Sequence, residues 1–532
     1  MAVSQNSSKM RPLGNIRRLI CIAAATSFFA VLQAQSELDA MRFSSNGIGG
    51  TARSMAMGGA FSAVGADFAS SRLNPAGLGL YRKGDFMMTM RFDVVNSDLT
   101  YAGETTSDLT SGFAFSNIGY VFSGNLRADP DDAGPGLKSY AISLGYTQTD
   151  NYKEIQSASV FNDRSSISEF FADQAQGYSS VQLNGNNNYA GLGYSAFLIN
   201  EDVPGTWKPS VPGGNVHQTM NVTNSGRRNE WNAGLAGNFE DFLYLGIGLG
   251  IESLKYSYEL SYNEVDVNNL HQKDVLPDST AFSELSFYDY HLTKGSGLCA
   301  RIGVIVRPVD MFRVGLNLQA PTIFSLDDTY YSDVTAKFDN DPLTYGINAD
   351  DNQEGIYSYK LSTPFKAGAG AMALFKKYGF LTADFEFIDY SASRFAGDNS
   401  PNSGIADFTE QNQAIRDLFN TSYNIRFGGE LRYSALRFRL GIANHASVLK
   451  KDALSYLDYN TGAAMSISGN RRFYTGGFGI RGDSYYLDFA YVREVSENRQ
   501  LFYNTDDPAL TEPELITKKL FNSALLTIGF TF

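Results

Sequence analysis

From Asp85 to the C-terminus, apolar and polar residues alternate with a period of two. In Leu381-Thr382-Ala383-Asp384-Phe385-Glu386-Phe387 the first face carries Leu, Ala, Phe and Phe, and the second carries Thr, Asp and Glu. Leu436-Arg437-Phe438-Arg439-Leu440 alternates apolar with basic residues, and Ile425, Phe427, Leu431 and Tyr433 oppose Arg426, Glu430 and Arg432. A strand turns successive side chains to opposite faces, and a helix cannot satisfy this spacing. About fourteen such segments are predicted, among them Asp85–Thr100, Ser111–Phe122, Lys138–Thr149, Glu230–Phe239, Leu243–Tyr258, Tyr485–Val495 and Lys519–Phe532. In Leu243 to Ile251 the second face is mostly glycine.

Periodicity alone does not say whether the apolar face meets a protein core or lipid; the connections do. Short ones (Glu240-Asp241, Lys376-Lys377-Tyr378, Ser434-Ala435, Gly482-Asp483) alternate with long polar ones (from Asp150 to Asn229, from Ser391 to Thr421, from His445 to Asn470). Short turns on one rim and long loops on the other are the pattern of an outer-membrane barrel. The expected fold is therefore all-β: an antiparallel transmembrane β-barrel of about fourteen strands. Its lumen-facing charges would be Asp384, Glu386, Arg426, Glu430, Arg432, Arg437, Arg439 and Asp488, serving mainly as interior ion pairs. One connection on the short rim, from Ser123 to Leu137, is unusually long and holds Asp129, Asp131 and Asp132. No later run is long and apolar enough for a transmembrane helix.

Ahead of the strands, Gly47 to Leu80 is rich in Gly, Ala and Ser, with few charges and no sustained period. It also carries Met55, Met57, Phe61, Val64 and Phe68, which a flexible linker would not. The run Met57-Gly58-Gly59-Ala60-Phe61, then Ala66-Asp67 and Asn74-Pro75-Ala76-Gly77-Leu78, resembles the N-terminal hatch of the FadL/TodX family of outer-membrane transporters for hydrophobic compounds. Pro364-Phe365-Lys366-Ala367-Gly368, leading to Ala383-Asp384-Phe385-Glu386, extends the similarity. The resemblance implies a hatch plugging the lumen, with Gly58, Gly59, Phe61, Asn74, Pro75, Ala76 and Gly77 as gating residues. It implies passive transport of long-chain fatty acids or similar small molecules, first captured by an external loop; Phe170, Phe171 and Tyr178 are the candidates for that role. The family also uses an inward kink of an early strand as a side exit, but no proline or bulge signal in Lys138–Thr149 fixes one. The alternative implied role is a scaffold or accessory protein of a secretion system.

The remaining features refine this picture. Lys9, Arg11, Arg17 and Arg18 precede an apolar stretch from Leu19 to Leu32, with Leu32-Gln33-Ala34 before Gln35, so residues 1–34 read as a secretory signal peptide. The expected organisation is signal 1–34, hatch 35–84 and barrel 85–532, in the outer membrane of a Gram-negative bacterium and in contact with its lipid. The terminal strand, with Leu526, Ile528, Phe530 and Phe532 on one face, suits the barrel-assembly machinery as partner. A net charge of −13 argues against nucleic acid. Cys299 is the one cysteine beyond the signal and reads as a small buried side chain. The four histidines, His217, His271, His291 and His445, are scattered. No HExxH, GxSxG or paired-cysteine spacing occurs, so no enzyme, metal or cofactor is expected. Asp327-Asp328, Asp339 to Asp341 and Asp350-Asp351 lack the spacing of a calcium loop.

Overall fold

The computed structural model describes residues 37–45, 47–126, 136–186, 188–271, 281–339, 341–347, 354–398, 408–450, 467–500, 503 and 515–532. The expected signal, the acids at 129–132 and Asp350-Asp351 lie outside them. Fourteen antiparallel strands close into a barrel. They are β1 (Asp85–Tyr101), β2 (Glu104–Asn125), β3 (Leu137–Asn151 and Glu154–Asn162), β4 (Val216–Phe239), β5 (Leu243–Val265), β6 (Phe282–Val309), β7 (Phe312–Gln319 and Ile323–Phe338), β8 (Gly355–Ser362 and Lys366–Leu374), β9 (Gly379–Asp389), β10 (Thr421–Tyr433), β11 (Leu436–His445), β12 (Ile467–Ser468 and Arg471–Arg481), β13 (Tyr485–Gln500) and β14 (Leu515–Thr531). Each pairs with its sequence neighbours, and β14 returns to β1 from Asp85↔Thr531 to Thr100↔Ile516. Closure leaves no free sheet edge at this seam. The breaks in β7 and β8 fall at Pro321 and Pro364, which lack an N–H. Thr322 and Thr363 bridge them, the amide of Thr322 donating to Thr363 Oγ1 and that of Thr363 to the Thr322 carbonyl, both at 2.9 Å.

The faces separate as the alternation predicts. Leu440 and Phe438 are exposed on the outer wall while Arg439 between them is 1% exposed. Leu245, Ile247, Leu249 and Ile251 face out, and Gly246, Gly248 and Gly250 face in. Near the short-turn rim Phe242, Phe312, Tyr378, Tyr433, Tyr485 and Phe532 form an exposed aromatic belt. Cys299 is buried and free.

Several strands run further than their patterns indicate. β2 spans Glu104–Asn125 rather than Ser111–Phe122, because Ala102 and Gly103, both at positive φ, make a tight turn on the otherwise long-loop rim. β3 continues to Asn162 and β4 starts at Val216, so the first long loop is much shorter than the span from Asp150 to Asn229. The sequence reading stopped where alternation became polar on both faces, but β4–β5 pairing continues to His217↔Val265.

Two sets of inserted elements occupy the interior. At the turn end lie the short helices α2 (Ala52–Met55) and α3 (Ser70–Leu73) and a 3-10 segment (Pro75–Leu80), with the N-terminal helix α1 (Glu37–Ser44) above them. At the loop end, α4 (Ile167–Ala175), α5 (Ser180–Leu183), α6 (Tyr189–Ser195) and the hairpin Ile199–Val203/Thr206–Pro209 pack an apolar cluster against the upper strands. α7 (Thr409–Leu418) joins α1 in a second cluster below.

Candidate functional site

The hatch is tied to the wall on several sides. Thr51 caps α2 by accepting from the Ser54 amide, and Gly58 and Gly59 then turn the chain at φ of 65° and 73°. This turn aims the amides of Phe61 and Ser62 at Asp384 of β9, which accepts both at 2.7 and 2.8 Å. Asn74 closes a second turn: its Oδ1 accepts from the Ala76 amide, and its Nδ2 donates to the Ser62 carbonyl at 2.7 Å and reaches the Val304 and Leu316 carbonyls of the wall. Pro75 and Ala76 lie against Gly246 of β5, and Asn74 against Gly303 of β6, where an added Cβ would sit 1.9 Å from Asn74 Oδ1. The glycine face of β5 is thus a docking surface for hatch backbone. Gly77 packs on Gly65 and its carbonyl accepts from the Ala66 amide.

The lumen charges divide between hatch support and barrel support. Glu430 is a hub: Arg439 and Arg432 reach it at 2.8 Å, and Arg53 of the hatch at 3.4 Å. Arg53 also donates to the Gly65 and Ala66 carbonyls. Arg439 continues to Asp488, which Arg481 holds from the other side. Arg426 pairs with Glu386 at 2.6 Å and donates to His445. Arg437 turns to the rim and donates to the Ser434 and Leu436 carbonyls. Charge-assisted bonds of this kind are stronger than neutral ones, so a wall carboxylate gripping two hatch amides is an effective latch.

Directly above the hatch lies a cavity of about 50 Å³, bounded by Ile48, Gly59, Arg72 and Leu73 on one side and by Arg301, Lys366, Glu386, Ile388 and Arg426 on the other. Arg301 is answered by Glu230, and Arg426 by Glu386. Arg72 donates to the Gly49 carbonyl and Lys366 to the Ser44 carbonyl; among the described residues neither has a carboxylate at ion-pair distance. Ile388 links the cavity to the apolar chamber above, where Leu38, Met41 and Phe43 of α1 pack with Tyr256, Phe324 and Tyr359. Neither the cationic cavity nor α1 was anticipated from the sequence. The cations are single residues far apart in the chain, Arg72 on the hatch helix α3 and Lys366 on β8, with no local motif to mark them.

The wall is interrupted beside this chamber. β2 and β3 pair only from Asn117↔Thr147 to Asn125↔Ser139. Above that, β3 follows β4 with register shifts, including one between Gln148 and Asp150, and breaks at Tyr152-Lys153. Its upper segment turns inward, so that Glu154 accepts from Ser97 of β1 and Lys519 of β14. The upper part of β2 keeps β1 as its strand partner among the described residues. Two side chains span the resulting gap: Asp108 accepts from the Ser157 amide and hydroxyl at 2.7 Å, and Lys153 donates to the Ser111 carbonyl. The sequence offered no signal for this kink because register shifts at Gln148–Asp150 need neither proline nor glycine.

Phe170 and Phe171 lie on α4 and are buried, at 3% and 0% exposed, in the cluster that fills the upper barrel; Tyr178 packs at its edge. Glu264 of β5 anchors this insert, accepting from Ser166 Oγ and the Ile167 amide at the start of α4. Among the described residues two groups have metal-ligand chemistry, Asp39–His291–Asp328 and Glu230–Glu252–Cys299. Basic side chains already meet these acids: Arg42 on Asp39, His291 on Asp328, Arg301 on Glu230 and Arg228 on Glu252.

No protein-family model matches the chain, and no curated protein sequence matches it. Among solved structures, it is similar to a Pseudomonas aeruginosa FadL homologue at 12% identity, covering 92% of this chain and 98% of that one, with a TM-score of 0.53. The toluene transporter TodX of P. putida aligns at 12% identity over 91% of this chain and 99% of that one, with a TM-score of 0.48. The chain therefore has the FadL-type fold, a fourteen-stranded barrel closed around an N-terminal hatch.

Proposed function

We propose that the protein is a passive outer-membrane channel for hydrophobic small molecules, with long-chain fatty acids or similar apolar acids as cargo. One juxtaposition carries this reading: an aromatic and aliphatic chamber ends on a cavity where, among the described residues, Arg72 and Lys366 have no carboxylate at ion-pair distance. Chain burial supplies roughly 0.8 kcal/mol per methylene, and the cations would hold the carboxylate head. The apolar outer wall supports placement in a bilayer, since a closed barrel satisfies its own backbone there. Residues 1–34 would direct export, residues 35–84 would form the hatch and β14 would engage the assembly machinery. Cargo would enter past Phe170, Phe171 and Tyr178, displace α1 from the chamber, and leave through the β2–β3 gap or past the hatch once Gly58, Gly59, Phe61 and the Asn74-Pro75-Ala76-Gly77 turn shift. An accessory role in secretion has less support, because the large external insert turns its apolar residues into the barrel.

Uptake of a fluorescent fatty acid into proteoliposomes tests the assignment. R72Q/K366Q should lose uptake of the acid while keeping that of a neutral hydrocarbon. Equal transport of both cargoes by the variant would remove the carboxylate from the scheme. Unchanged uptake after deletion of residues 47–80, with normal barrel assembly, would remove hatch control.

A further inference from the structure

On the outer wall, three successive cross-strand rows of β4 to β7 form distinct layers. The lowest is apolar: Trp231, Ile251, Leu298 and Ile323 stand directly across from one another. The next is neutral and polar, Asn229, Ser253, Ser296 and Ser325. The third is Arg227, Lys255 and Lys294, with Asp327 at its end. All three cations are exposed, and among the described residues none makes an ion pair. Asp327 instead accepts from Ser358 Oγ at 2.6 Å, and the carboxylates Glu259 and Glu354 lie further toward the loops, beside Tyr290. Like charges directly opposite one another, about 5 Å apart at Cβ, destabilise a sheet.

We infer that this row is a binding site for the phosphorylated sugar headgroup of an outer-leaflet glycolipid. The row stands on the loop side of the apolar wall, two residues, or roughly 7 Å along each strand, above the neutral row. Trp231 and Tyr146, in edge contact at 5.5 Å, mark the boundary of the hydrocarbon, where aromatic rings concentrate. Acyl chains would lie on Ile251 and Leu298, sugar hydroxyls would meet Asn229 and the serines, and a phosphate would sit across Arg227, Lys255 and Lys294. A phosphate bridging the three cations converts their repulsion into charge-assisted hydrogen bonds. The inference rests on the membrane placement proposed above.

The test uses the full-length protein in mixed micelles holding bisphosphorylated lipid A, its phosphatase-treated form and phosphatidylglycerol, with bound lipid read by native mass spectrometry. Wild type should retain the bisphosphorylated lipid in preference to both others, and R227Q/K255Q/K294Q should lose that preference. K376Q/K377Q removes two exposed charges on the opposite rim and should keep it. Equal retention by wild type and the triple variant, preference for phosphatidylglycerol, or the same loss in the control variant would overturn the proposal. Bilayer insertion of each protein is checked in parallel by heat-modifiable migration. Insertion without the lipid preference defeats the headgroup site alone, whereas failure of wild type to insert defeats the membrane placement and the site with it.

Discussion

Asp384 holds two hatch amides with one carboxylate, so its charge is what a substitution should test. Asp384→Asn keeps the size but weakens both bonds, at a cost of about 1–3 kcal/mol to hatch seating. Limited proteolysis of the assembled barrel should then cut within residues 47–80 faster than in wild type; identical cleavage would show that Asp384 is not a latch. Gly303→Val acts sterically, because a Cβ there meets Asn74 Oδ1 at 1.9 Å. Single-channel conductance should rise in this variant while the barrel still assembles. The inward-facing charges were legible in the sequence as the polar half of an alternation. Their division of labour was not, since Asp384 and Asp488 look alike in their strands, yet one binds hatch backbone and the other an arginine pair.

At the scale of elements, the gap between β2 and β3 and the helix α1 are the two parts that must act if cargo passes. Asp108 and Ser157 face each other across the gap, so D108C/S157C offers a reversible clasp. Oxidised protein should transport substantially less hydrophobic cargo than reduced protein; equal uptake in both states would send the cargo elsewhere. Deleting residues 37–44 empties the chamber of Leu38, Met41 and Phe43, and fatty-acid binding by the solubilised barrel should tighten. Weaker binding would instead make α1 part of the site. Strand number and order followed from alternation and turn signals, but strand ends did not. Beyond the apolar wall, β4 and β5 keep their ladder while both faces become polar, so hydrogen bonding persists where the hydrophobic pattern has stopped.

The whole molecule is a stack: a hatch latched to wall carboxylates, a cationic cavity, an apolar chamber holding α1, and an upper barrel filled by α4 and α6. Because the strands form one ring that closes from β14 onto β1, unfolding should be strongly cooperative. Heat-modifiable electrophoresis should show one transition for wild type, and for Glu430→Gln a transition at lower temperature, since Arg53, Arg432 and Arg439 all converge on that carboxylate. An unshifted transition would show that the hub contributes nothing to the assembled state. The sequence by itself determined the period of two, the short turns, the small-residue hatch and hence a plugged barrel, because those are local properties written into neighbouring residues. Only the tertiary structure decided where the wall opens, which cations above the hatch meet no carboxylate among the described residues and which helix fills the chamber. Those features come from residues tens to hundreds of positions apart that meet only once the strands have closed into a barrel.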